Sequence, residues 1–146
     1  MNEIQRPATI GHVVAQRVVA AAVAAAEDLD VRACVAVVDS SAHLLAFVRM
    51  DGAPLLSQQI AENKAYTVAA FNGVPTHEWW ERIADDPALV HGLPQTERMV
   101  LFAGGVPITH RRRMVGAVGV SGGSAEQDRT IAEAASCAAP AAGSGR

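Results

Sequence analysis

A chain of 146 residues is the size of a single domain. Half of it is hydrophobic but only 4% is aromatic, so its core has to be filled by Ala, Val, Leu and Ile. The net charge of −3, with basic residues scattered apart from Arg111-Arg112-Arg113, gives no coherent basic face and excludes nucleic acid as a partner. Those three arginines read as a solvated turn.

Cys34 and Cys137 are two cysteines without a CxxC or a metal-ligand cluster, which suits a reducing compartment. The N-terminus lacks the basic and apolar parts of a signal peptide. The apolar run from Val13 to Ala26 contains Gln16 and Arg17 and is too short to span a membrane. The expectation is a cytoplasmic protein with neither a metal nor a membrane partner.

Residues 1–7 and 138–146 read as flexible termini around one domain over residues 8–137. Ile10, Val13, Val14, Arg17, Val18, Ala21 and Ala25 recur with helical period, predicting a first helix from Thr9 or Gly11 to about Leu29. Cys34 to Asp39 predicts a buried strand, and His43 to Met50 its hairpin partner across Ser40-Ser41-Ala42. Asp51-Gly52-Ala53-Pro54 is a turn, after which Ser57 can cap a second helix through Asn72. Its inner face would be Ile60, Ala61, Ala65, Val68 and Ala69.

Pro75-Thr76 breaks the chain, and Thr76 is expected to cap a short helix carrying Trp79, Trp80 and Ile83. Asp85 to Gln95 reads as loop. Met99–Phe102, Val106–Thr109 and Met114–Ser121 predict three strands, joined at Gly104-Gly105 and at His110 to Arg113. Ser124 and Gln127 have the spacing of a capping box that opens a helix from about Ala125 to Cys137. Strands joined by short turns are antiparallel, so the fold class is α+β, with one sheet of about five strands flanked by helices.

Four features can carry chemistry, and each has a plainer explanation. Arg49 and Asp51, two apart at a strand end, share a side and can orient a polar or anionic ligand; a surface ion pair trimming the strand explains them as well. Lys64 lies beside the apolar face of the second helix, where it can bind an anion, act as a base, or merely snorkel along the helix flank. Ser121-Gly122-Gly123 before the last helix offers backbone amides to an anion, or is only a tight turn. Among His12, His43, His77, His91 and His110 no pair has HxxxH spacing, which argues against zinc; a single histidine can still serve as a haem ligand or proton donor, or cap a helix. The chain has no G-x-S-x-G, no GxGxxG and no paired catalytic carboxylates on one element.

Three stretches, in this order, resemble one family: AVVDSSAHLLAFVRMDGA, SQQIAENKAYTVAAF followed by VPT, and GGVPI followed by GAVGVSGGSAEQD. The family is the GlcG/HbpS-like group of haem-binding or haem-degrading domains, which includes the C-terminal domain of PduO-type corrinoid adenosyltransferases. The resemblance implies a profilin-like domain with a five-stranded antiparallel sheet between helices, assembled into dimers or larger homo-oligomers. It also implies a small-molecule ligand, with haem as the candidate cofactor. The polar motif positions Asp39, Arg49, Asp51, Lys64 and Ser121, with Gly122 and Gly123 as backbone walls, become the ligand-pocket candidates. His12 is the position that can match a haem-ligating histidine near the start of the first helix, and Arg49 or Lys64 would meet the propionates.

This chain departs from the family pattern in its two turns, Ser41-Ala42 where glycine is usual and His110 to Arg113 where an acidic-Gly turn is usual. The alternative to a binding domain is a cofactor-independent enzyme, of lyase or isomerase type, acting on a small organic acid or aromatic compound. There Lys64 and Asp51 would be the acid and base, Arg49 would orient a carboxylate, and Ser121 with nearby amides would hold an oxyanion.

Overall fold

The structure, a computed structural model, describes residues 3–140. The first helix, α1, spans His12–Asp28 and buries Ala15, Val18, Ala22 and Ala26, a stripe with helical spacing made of side chains small enough for close contact. It closes where Asp30 turns left-handed and the Val31 amide donates to the Ala26 carbonyl. Strand β1, Cys34–Asp39, is buried on both faces; β2, Leu44–Arg49, is half-buried. Helix α2 spans Leu56–Ala70, the short α3 Trp79–Ile83 and α4 Pro87–Gly92. Strands β3, Gly105–His110, and β4, Arg113–Ser121, precede α5, Ala125–Ser136.

The four strands form one antiparallel sheet in the order β2-β1-β4-β3. Alternation along β1 sends Val35 and Val37 into a core with α1 and α5, and Cys34, Ala36 and Val38 into a second core under α2. The second core is built of small residues, and the helix lies close on β4: a Cβ at Gly119 would collide with the Ala61 carbonyl and stand 2.6 Å from the Ala65 amide.

The α+β class expected from the sequence is present, but the sheet has four strands rather than about five. Met99–Phe102 is not a strand. Its Val100 amide donates to the Thr67 hydroxyl, and the same hydroxyl donates to the Arg98 carbonyl, each at 3.0 Å. The backbone groups that a strand would give to a neighbour are taken by a helix side chain.

Smaller differences have equally local causes. Helix α2 starts at Leu56, so Ser57 lies buried in its first turn instead of capping it. Thr76 opens a 3-10 turn and its hydroxyl bridges the Gly105 amide and carbonyl. Within the segment read as loop, Asp86 caps α4 by accepting from the Ala88 and Leu89 amides, with Pro87 at the first helical position. The Ser124–Gln127 capping box is present as expected. Part of the segments read as flexible termini, residues 1–2 and 141–146, lies outside the described residues. No helix among the described residues is long and apolar enough to cross a membrane.

Candidate functional site

The structure distributes the candidate residues over four places. At the end of β2, Arg49 and Asp51 do not bond to each other. The Arg49 guanidinium donates to the Ala53 carbonyl at 2.6 Å, and Arg32 donates to the Asp51 carbonyl at 3.1 Å. Two guanidiniums thus hold the backbone of the Asp51-Gly52-Ala53 turn, in which Gly52 takes φ 83°. A cavity of about 470 Å³ opens beside this turn, lined by Arg32, Arg49, Met50 and Asp51 together with Val23, Glu27 and Asp30 of the α1 end.

Register places Arg49 opposite Cys34 and Cys34 opposite Ser121, so the three form a row across the sheet under α2. Burial pushes the Cys34 thiol above its ordinary value, with the charge of Arg49 opposing.

Lys64 stands apart from that cavity. It is completely buried, and its Nζ donates to Asp128 Oδ2 at 3.0 Å and to the Val120 carbonyl at 2.7 Å. The Phe102 ring centroid lies 5.0 Å away. Asp128, in the first turn of α5, accepts from the Gly123 amide at 2.9 Å through its other oxygen. Burial lowers the Lys64 pKa and raises that of Asp128, and in each case the partner's charge opposes the shift. The Gly122-Gly123 turn, read as a nest for an outside anion, has the Gly123 amide on a carboxylate of its own chain. Gly104 belongs to the same arrangement: at φ 125°, a Cβ there would stand 2.5 Å from Nζ.

Asp39 sits at the other end of β1. Its carboxylate accepts from the Ser41 and His43 amides at 2.9 Å and faces His43 Nδ1 at 3.2 Å. It closes the first hairpin turn around Ala42, whose φ is 67°. The bracket holds the turn closed while Ala42, a residue with a Cβ, takes the left-handed conformation.

The fourth place is the start of α1. His12 is the first helical residue and is exposed. The helix has no capping side chain and no acid in its first turn, so its leading amides and the positive end of its dipole are not compensated by a side chain. The Ile10 amide, donating to the Val115 carbonyl at 2.9 Å, fixes this end against β4. A cavity of about 480 Å³ lies there, walled by Ile10, Val14 and Val115 and bordered by Thr109, His110 and Arg111.

His110 and Arg111 come from the second hairpin turn, in which Arg111 and Arg112 both take left-handed φ, 50° and 65°. Such a two-residue turn normally uses Asn and Gly, and arginine there is strained. The sequence reading counted His110 only as one of five histidines and Arg111 only as part of a solvated turn, because the β3–β4 pairing is what brings their turn to the start of α1. No group of three His, Cys, Asp or Glu among the described residues could hold a metal ion.

Residues 10–136 match the family described as haem degrading protein HbpS-like. An uncharacterised 15.0 kDa protein of the dhaT-dhaS intergenic region of Citrobacter freundii is 39% identical, covering 92% of this chain and 95% of that protein. The crystal structure of Klebsiella pneumoniae ORFY is 35% identical with a TM-score of 0.87, covering 94% of this chain and 95% of that one. A crystal structure of a PduOC:heme complex is 32% identical with a TM-score of 0.80, covering 89% and 94%. The chain belongs to the HbpS-like family.

Proposed function

We propose that the chain is a small-molecule-binding domain whose ligand is haem or a similar flat, amphipathic dianion, seated at the start of α1. One observation carries this reading: the cavity there combines apolar walls with His110, Arg111 and Gly11, the residue before an uncapped helix terminus that begins at His12. The relative solved as a heme complex supports it.

Haem fits this donor set. Ile10, Val14 and Val115 offer surface to a macrocycle and exclude water from it. Arg111 would offer a guanidinium to a propionate, and His12 would offer an imidazole to the iron. Haem, when bound, would supply the redox chemistry of its iron. The same reading carries a profilin-like layering, a homo-oligomeric assembly and a cytoplasmic location.

Titration with ferric haem, followed in the Soret region, tests it. Wild type should show a saturable red shift that His12→Ala abolishes and Arg111→Ala weakens. A spectrum unchanged by His12→Ala overturns the role of His12 in holding the iron, and absence of any shift in wild type overturns the haem reading.

A second reading rests on the cavity at the end of β2. There Arg49 orients the carboxylate of a small organic acid or aromatic substrate, and Asp51 serves as acid or base in a lyase or isomerase reaction. Ser121 and nearby amides would hold an oxyanion. Lys64 would join only on leaving Asp128. Turnover unchanged by both Asp51→Asn and Lys64→Ala would end this reading.

A further inference from the structure

The run Arg111-Arg112-Arg113 divides between two places. Arg111 borders the cavity at the start of α1, whereas Arg113, the first residue of β4, lines a separate cavity of about 610 Å³. Three segments distant in sequence build it. Asp39, at the end of β1, pairs with Gly116, so β4 extends beyond β1 and carries Arg113 to the Ser40-Ser41 turn. Residues 4–8 close the third side. Thr9 fixes that segment in place: its hydroxyl accepts from the Ser40 amide at 3.0 Å and donates to the Val115 carbonyl at 3.5 Å.

The walls are basic and rich in donors. Arg6 and Arg113 supply two guanidiniums, and Gln5, Ser40 and Ser41 supply amide and hydroxyl donors. No Asp or Glu lines the cavity. Asp39, the acid adjoining the turn, has its carboxylate on the Ser41 and His43 amides and facing the His43 ring. Other arginines have partners: Arg82 and Arg129 pair with glutamates, Arg32 and Arg49 hold backbone carbonyls, and Arg98 bonds to Asn63. Arg6 and Arg113 pair with no carboxylate among the described residues. Two like charges around one hollow repel each other, and an anion between them reverses the sign of that interaction.

The two positive charges match the dianion of a phosphate monoester, and a guanidinium fork fits phosphate oxygens in pairs. A volume of about 610 Å³ is that of a small-molecule pocket, with room for the organic part of the ester as well. Ile4, 85% exposed, and Met114 give that part an apolar wall.

We infer that this cavity binds a small phosphorylated metabolite, its phosphate between Arg6 and Arg113 and within reach of the Ser40 and Ser41 hydroxyls. The site is separate from the cavity assigned to haem, and the inference does not depend on that assignment.

Calorimetric titration of the full chain with ribose 5-phosphate and with inorganic phosphate, at low ionic strength, tests it. Wild type should bind ribose 5-phosphate at one saturable site per chain, inorganic phosphate should compete for that site, and ribose should give no binding heat. Arg6→Ala and Arg113→Ala should each weaken binding about tenfold, as expected for loss of a charged hydrogen bond. Arg113→Lys, which keeps the charge without the fork, should lose less than Arg113→Ala. Arg17→Ala, an exposed position on α1 that does not line the cavity, should bind as wild type does. Thermal unfolding checks that each variant is folded. Absence of saturable binding of both phosphates by wild type overturns the inference, and so does a loss in Arg17→Ala equal to that in the folded Arg6 and Arg113 variants.

Discussion

Strand β4 runs between two sites that treat polar groups in opposite ways. At its Ser121 end, Lys64 and Asp128 are buried, and the pair is completed by the Val120 carbonyl and the Gly123 amide. At its Arg113 end, the α1 terminus has no side-chain cap, and His110 and Arg111 border a cavity without a side-chain hydrogen bond among the described residues. The difference separates two uses of the same residue types. A buried charge whose partners are all internal holds elements together, here α2, β4 and α5. A donor set left facing an apolar hollow is suited to an outside ligand.

The largest expected effect comes from breaking the closed end. Lys64→Ala leaves Asp128 buried and unpaired and should cost about 3–5 kcal/mol in denaturant unfolding. The double variant with Asp128→Ala should lose less than the two single losses summed. A Lys64→Ala loss comparable to that of a surface substitution would remove the distinction between the two ends. Gly119→Ala tests the close approach of α2 on β4 and should cost about 1–3 kcal/mol by overpacking.

Two smaller effects sharpen the open end. Arg112→Gly relieves a left-handed arginine and should raise stability by about 1 kcal/mol, with haem binding intact. Arg111→Gly should give a similar gain in thermal unfolding while weakening haem binding. Loss of stability in either variant would show that the turn depends on arginine contacts. His12→Ala at an exposed helix start should change stability by no more than about 0.5 kcal/mol.

The sequence made the fold legible where signals are local. Alternation in Cys34–Asp39, the small-residue stripe of α1 and the Ser124–Gln127 box each act within one element. Asp86-Pro87 carried an equally local start signal for α4 that the loop reading passed over. What could not be read depends on distant partners. Lys64 looked free on a helix flank because Asp128 is 64 residues away. Val100 looked like strand because Thr67, which takes its amide, lies 33 residues earlier on a helix. Arg49 and Asp51 looked like a pair because spacing does not show that each end of their turn is held by a different guanidinium.

The two cavities also rank the residues for one decisive measurement, the affinity for ferric haem of His12→Ala and Arg49→Ala beside wild type, read from Soret titrations. His12→Ala should lose the shifted Soret band while Arg49→Ala binds as wild type does. Retained binding in His12→Ala together with loss in Arg49→Ala would contradict it and move the ligand to the end of β2.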